Sequence, residues 1–220
     1  MVSTKHAFWQ ALIFTIIIFW IGLLMGFFLE NSRSDKVESN LLNSEINLLD
    51  QQIRDQGINQ FNISCGDTKK STFLFADKIY NEAVLLEEYD SKSKFSSTLK
   101  ILHKRYDLLR MILWMESIQM KEKCNEDYHT IVYLFNYADD DINIKAEQAS
   151  ISKLLLDIKN KYGNRVLLIP IAANLDLESV NLIKEKYNIS KAPAIIIDEK
   201  TVIIELPTFD KLEKTIFESK

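Results

Sequence analysis

The pattern of apolar and polar positions changes character near residue 128. Before it the apolar positions recur at helical spacing; after it short apolar runs alternate with amphipathic stretches. Residues 7–29, AFWQALIFTIIIFWIGLLMGFFL, carry no charge, and only Gln10 and Thr15 are clearly polar. About 23 helical residues reach about 35 Å, enough for a hydrocarbon core of roughly 30 Å. A cleaved signal peptide has an apolar region of about 7–15 residues that ends in small side chains. This run is longer and ends in Gly-Phe-Phe-Leu-Glu. It predicts a retained single-pass anchor, Ala7–Leu29, behind a leader of residues 1–6, with the membrane as partner.

Glu38–Asp55 is helical in pattern, with Leu42, Ile46, Leu49 and Ile53 forming an a/d seam. The seam is about two heptads long, where a coiled coil is usually read from three or four. It supports two readings: a parallel homodimer stalk, or a helix packed on its own domain. Gly57 is expected to end this helix, and Asn59–Gly66 to form a polar connection within a stalk of residues 30–66.

Two further helices follow. Thr68–Glu88 puts Phe73, Ala76, Tyr80, Ala83 and Leu86 or Glu87 on one face, and Asp90–Ser93 makes a break. Phe95–Lys123 carries a stripe of Leu99, Leu102, Tyr106, Leu109, Leu113 and Ile118. The short connection predicts an antiparallel hairpin over residues 67–127. Cys65 and Cys124 then fall at the same end. The first helix measures about 30 Å and the second about 43 Å, and the overhang is within reach of a few extended residues after Cys65. A structural Cys65–Cys124 disulfide is therefore expected, provided the compartment is oxidising.

Beyond residue 128 the expected order is strand Thr130–Phe135, helix Ala146–Tyr162 and strand Arg165–Ala172. Helix Leu177–Tyr187, strands Ala194–Ile197 and Thr201–Leu206, and helix Phe209–Glu218 complete it. A crossover of that length implies parallel pairing of the first two strands with a right-handed connection. Pro170 suggests that the second strand bends or ends there. The fold class is α/β.

The stretch KYNISKAPAIIID, residues 186–198, resembles the C-terminal half of a thioredoxin domain. The resemblance implies a thioredoxin-like domain over residues 128–220, a cis bond at Ala192-Pro193 and a loop there that faces the active site. That family carries C-x-x-C where the first strand meets its helix, and the helix N-terminus lowers the attacking thiol's pKa. Here Asn136–Ile144 contains no cysteine, serine or threonine, so dithiol exchange at that position is excluded and no catalytic residue is assigned. Asp139, Asp140 and Asp141 stand there instead. Carboxylates before a helix cap its N–H groups; the alternative is a cation site, which lacks the glycine and glutamate of an EF-hand loop. The resemblance implies a binding surface of Lys191, Ala192 and Pro193 beside Tyr137 and Asp139–Asp141, where backbone groups pair with an extended polypeptide.

Composition narrows the remaining choices. Lys and Arg number 27 against 31 Asp and Glu, and no basic block stands out, which excludes nucleic acid as a partner. Two cysteines outside C-x-x-C exclude a zinc ribbon. His103 and His129 have no metal-spaced companions and read as surface or packing residues, and Met111, Trp114, Met115 and Met120 read as core. No metal or cofactor is expected. Single N-terminal anchors commonly carry their domain outside, and the Asn62 and Asn188 sequons are compatible with an extracytoplasmic globular part. The resulting expectation is a membrane-anchored binding module with a protein partner. The alternative is a divergent thiol-disulfide oxidoreductase using Cys65 and Cys124, against which the neighbouring acids argue, since they raise a thiol's pKa.

Overall fold

A computed structural model of the chain describes residues 4–61, 63–92 and 97–218. The start of the leader, the Asn62 sequon position and residues 93–96 lie outside them; of the expected break Asp90–Ser93, the first three residues are helical. The chain divides into two compact units, residues 1–52 and 53–220.

Helix α1 spans Thr4–Gln60. Its segment Phe8–Phe28 is long and apolar enough to cross a membrane, with mean hydropathy 2.6 and no buried side chains. Gly57 does not end the helix as expected. The Phe61 N–H donates to the Gly57 carbonyl at 2.8 Å, a helical closure, so Gly57 sits inside the last turn. A glycine there costs on the order of 1 kcal/mol relative to alanine, which a long helix tolerates.

In the second unit, helices α2 (Cys65–Lys92) and α3 (Ser97–Cys124) form the hairpin, each 28 residues long. The expected difference in length is absent because α2 begins three residues before Thr68 and runs on past Glu88 to Lys92. Ser64 starts it: its Oγ accepts from the Asp67 N–H at 3.2 Å and donates to the Asp67 carboxylate at 2.7 Å. The first bond is an N-cap, and the second holds the Ser64 hydroxyl in place for it. The cysteines consequently occupy the first residue of α2 and the last of α3, joined by a disulfide with Cα atoms 5.6 Å apart. The buried face of α2 is Thr72, Phe75, Ile79 and Leu86, while Tyr80, expected on that face, is 64% exposed. The expected stripe is one residue out of phase, which turns a position by about 100° around a helix. On α3, Leu99, Tyr106, Leu109 and Leu113 are buried, and Tyr106 donates its hydroxyl to the Ile79 carbonyl across the pair. Met111, Trp114 and Met120 are core, as expected, whereas Met115 is half exposed.

The sheet follows in the order β2-β1-β3-β4, from strands β1 (His129–Phe135), β2 (Val166–Ala172), β3 (Ala194–Ile197) and β4 (Thr201–Ile203). β1 runs parallel to β2 and antiparallel to β3, and β3 pairs antiparallel with β4. Helices α4 (Ile142–Tyr162), α5 (Glu178–Lys186) and α6 (Phe209–Phe217) complete the unit. One sheet face (Ile131, Tyr133, Ile195, Ile197) packs on Ile151, Leu155 and Ile158 of α4 and on Leu212 and Ile216 of α6. Val132, Leu134, Ile169 and Ile196 of the opposite face are equally buried. A sheet covered on both faces explains why its strands read as unbroken apolar runs.

β2 passes through Pro170 without bending or ending, pairing Tyr133 with Pro170 and continuing to Ala172. β2 is the edge strand, and alternate residues aim their N–H groups at the open side. Ala172 does so, donating to Asp107 Oδ2 of α3 at 3.2 Å, and Pro170 two residues earlier occupies the same phase. Its missing N–H therefore costs no ladder bond. Asp107 also takes Arg110 Nη1 at 3.1 Å, and burial pushes its carboxyl pKa up to about 6, against the pull of Arg110. α3 thus covers the sheet edge that would otherwise stay unpaired.

Candidate functional site

Where β1 ends, residues 136–141 lead into α4, at the carboxyl ends of both parallel strands. Side-chain amides hold this junction. Gln148 Oε1 accepts from the Asn136 N–H at 2.6 Å, and its Nε2 donates to the Asn136 carbonyl at 3.2 Å. Asn174 does the same for Tyr137, with both bonds at 2.8 Å. A primary amide carries one acceptor and one donor group in the arrangement of a peptide unit, so two amides satisfy two consecutive residues. The Tyr137 ring also lies 3.9 Å from that of His103 on α3, which makes His103 a packing residue.

The aspartates cap. Asp141 is the N-cap of α4 and accepts from the Asn143 N–H at 2.8 Å. Asp139 accepts from the Asp141 N–H at 2.9 Å and from Asn136 Nδ2 at 2.8 Å, and these bonds hold its carboxyl below the usual carboxylate range. Asp140 is exposed. Among the described residues no group of three or more His, Cys, Asp or Glu side chains is placed to share a metal ion.

Facing the junction is the loop before β3, where the Ala192-Pro193 bond is cis. Pro193 is buried, Ala192 half-buried, and Ser190 and Lys191 are exposed. Among the described residues, none bonds to the backbone of Lys191 or Ala192. Between loop and junction lies a cavity of about 510 Å³. Lys191, Ala192 and Pro193 line it, whereas Tyr137 and Asp139–Asp141 do not. Asn136, Ile144 and Glu147 form the wall on the junction side; Asn174, Asp176, Asn181 and Lys184 come from the chain after β2, and Ile204 closes the rim. Sequence reasoning did not single out these residues. One signal was available: in parallel sheets ligands bind beyond the carboxyl ends of the strands, and Asn136 and Asn174 follow directly on β1 and β2. The lining contains no histidine or cysteine, and four charges, Glu147, Asp176, Lys184 and Lys191, balance to zero. Such a cavity is equipped to hold a ligand by polar contacts.

The opposite end of the sheet is closed by charge pairing. Asp198 and Glu199 form a two-residue β3–β4 turn, both left-handed (φ 46° and 59°), with the Lys200 N–H on the Ile197 carbonyl at 3.0 Å. Such turns normally carry Asn or Gly. Here Lys121 Nζ of α3 donates to Asp198 Oδ1 at 2.9 Å, Glu199 Oε2 at 3.1 Å and Thr130 Oγ1 at 2.9 Å. Trp114 Nε1 donates to Glu199 Oε1 at 2.7 Å, and His129 Nδ1 lies 2.6 Å from Asp198 Oδ2. Burial alone would raise the Asp198 pKa, but bonds from His129, Lys121 and the Thr130 N–H outweigh it and bring it down to about 2. His129 thereby acts as an anchor, its ring edge-on to Phe217 at 4.8 Å.

The disulfide belongs to this closed end. Lys121, one turn before Cys124, touches Thr130 at the start of β1, and the cavity begins only after Phe135. At about 3.3 Å per residue the strand separates them by roughly 20 Å.

No protein-family model and no curated protein matches the chain. Solved structures are similar to part of it, and two of them illustrate the likeness. One, described as the structure of a malarial protein, is 17% identical and covers 41% of this chain and 96% of its own, with a TM-score of 0.31. The other, oxidised thioredoxin O2 from Arabidopsis thaliana, is 16% identical and covers 48% of this chain and 86% of its own, with a TM-score of 0.33.

Proposed function

We propose that the chain is a membrane-anchored binding protein. In this reading Ala7–Leu29 is the anchor and residues 67–127 are a helical hairpin module. Residues 128–220 are a thioredoxin-like domain without redox chemistry, which captures extended polypeptide at the cis-proline loop. The observation that carries the reading is the backbone of Lys191 and Ala192, without partners among the described residues, at the rim of a 510 Å³ cavity. A main chain with free donors and acceptors beside a cavity suits strand addition, with one ligand side chain entering the cavity. The parallel β1–β2 pair, the antiparallel β3–β4 pair and the absence of cysteine at the junction support the domain assignment. The Cys65–Cys124 bond supports an oxidising, extracytoplasmic location for the globular part.

One observation favours the oxidoreductase alternative: Cys65 is exposed at the first residue of α2, where a helix stabilises a thiolate. The separation of roughly 20 Å from the cis-proline loop weighs against it, because a chain bound at that loop would not present its disulfide to these sulfurs.

The test is a library of extended peptides titrated against the full chain in detergent. Binding should be lost with Ile144→Asp and with Lys191→Glu and be unchanged by Tyr80→Ala on the hairpin. Peptide binding insensitive to both cavity variants would overturn the reading. Turnover of a disulfide substrate, lost on mutating either cysteine, would establish the alternative.

A further inference from the structure

On α1 the four seam residues are all at least half exposed: Leu42 55%, Ile46 61%, Leu49 50% and Ile53 69%. The second unit contains the end of α1, from Ile53 onward. There the helix engages the hairpin through the residue beside the seam. Arg54 donates to Ser71 Oγ at 2.6 Å, pairs with the buried Glu116, and lies over the Phe75 ring at 5.6 Å. Ile53, its neighbour, stays uncovered.

We propose that this stripe pairs with the same stripe of a second copy of the chain, as a short parallel two-stranded coiled coil. The residue types specify the partner. Ile46 and Ile53 fall at a and Leu42 and Leu49 at d, and β-branched a with leucine d favours two parallel strands over three or four. Orientation follows from the anchor reading, on which this part of the proposal rests: two copies held in one bilayer by the same N-terminal segment present their stalks in the same direction. Two heptads are short, and the flanks oppose pairing. In a parallel pair Glu45 at g faces Asp50 at e of the other copy, and like charges there repel. Confinement to a membrane offsets this by raising the effective concentration of one stalk near another.

The apolar segment holds a competing surface, Gly22-x-x-x-Gly26, where a Cβ added at either glycine would meet no atom within 4 Å. Spacing of this kind also pairs helices in lipid. At about 100° per residue those glycines fall roughly opposite the seam, so a straight helix pair cannot use both.

The experiment is oxidative crosslinking of the full-length chain in membranes, with single cysteines added along α1. Leu42→Cys, Ile46→Cys, Leu49→Cys and Ile53→Cys should give a disulfide-linked dimer of the chain, and Gln51→Cys, an f position of the repeat, only background. In the Leu49→Cys chain, Ile46→Asp should abolish the dimer. Asp50→Lys should increase it, by converting the repulsion into a pair with Glu45. The proposal is overturned by crosslinking of equal strength around the helix, by a product containing another protein, or by an Asp50→Lys chain that crosslinks less. It is equally overturned by a dimer that survives Ile46→Asp and is lost with Gly22→Leu, which would place the contact in the apolar segment.

Discussion

The two ends of the sheet are built from similar residues and used in opposite ways. At the β3–β4 turn both carboxylates have partners: Lys121 bridges Asp198, Glu199 and Thr130, while Trp114 and His129 complete the carboxylates. At the cis-proline end, Glu147, Asp176, Lys184 and Lys191 surround a cavity, and the backbone of Lys191 and Ala192 is without partners among the described residues. Half-buried polar groups are costly unless bonded. A saturated cluster therefore reads as an attachment between elements, and unpaired backbone beside a cavity as a place for a ligand. α3 links the two ends, meeting Ala172 through Asp107 at one and Thr130 through Lys121 at the other.

Removing the attachment should cost stability and leave the open end intact. The largest effect is expected for Cys65→Ser with Cys124→Ser, which frees the base of the hairpin and should lower unfolding free energy by roughly 2–4 kcal/mol in denaturant titration. The sheet's own signature, burial of Tyr133 followed by fluorescence or exchange, should persist; its loss would mean that the hairpin and sheet fold as one.

Lys121→Met is next, at roughly 2–3 kcal/mol, because it leaves two partly buried carboxylates facing Thr130 without a cation. A change within error would show that the network contributes nothing beyond its hydrogen bonds to backbone.

The two aspartates that α3 meets and carries should respond to pH with opposite signs. Asp198 has its folded pKa depressed to about 2 from 3.8, so its contribution is present above about pH 4 and lost as pH falls toward 2. Its size is on the order of 2 kcal/mol, and Asp198→Asn should flatten that limb. Asp107 has its folded pKa raised to about 6, so stability should decline as pH rises from about 4 to 6 and level off above. Asp107→Asn should remove that decline, and melting curves across the range would separate the two slopes.

The smallest effect on stability belongs to the open end. Lys191→Glu, at an exposed position, should stay within about 0.5 kcal/mol of the parent chain. Peptide affinity measured on the same sample should fall. An equal loss of fold and binding would erase the distinction between the two ends.

Much of the architecture was legible because its signals are local. The apolar runs TIVYLF and AIII and the helical spacing between them led to the parallel pair and the hairpin of strands, while the cis bond was implied by the family resemblance of residues 186–198. Local signals also misled where the deciding contact was remote. Tyr80 shares the period of the α2 core yet faces outward, because α3 meets the helix along Phe75 and Ile79. Pro170 argued for a strand end, but its position on the edge, under Asp107, removes the objection. The Ser64 cap was present in the sequence, and reading it would have moved the expected start of α2 to Cys65.

From sequence alone came the apolar segment, the order of strands and helices, the pairing of Cys65 with Cys124 and the exclusion of dithiol chemistry at Asn136–Ile144. Each depends on residue type or on spacing along the chain, which hydrophobic periodicity and covalent geometry translate into structure directly. Tertiary structure alone decided which charges are neutralised and which surround a cavity. Lys121 and Asp198 are 77 residues apart and Asp107 and Ala172 are 65 apart. Nothing local distinguishes Lys121 from the exposed Lys191. The difference arises when α3 lies along the sheet edge and brings one of them against two carboxylates, where burial makes the pairing obligatory.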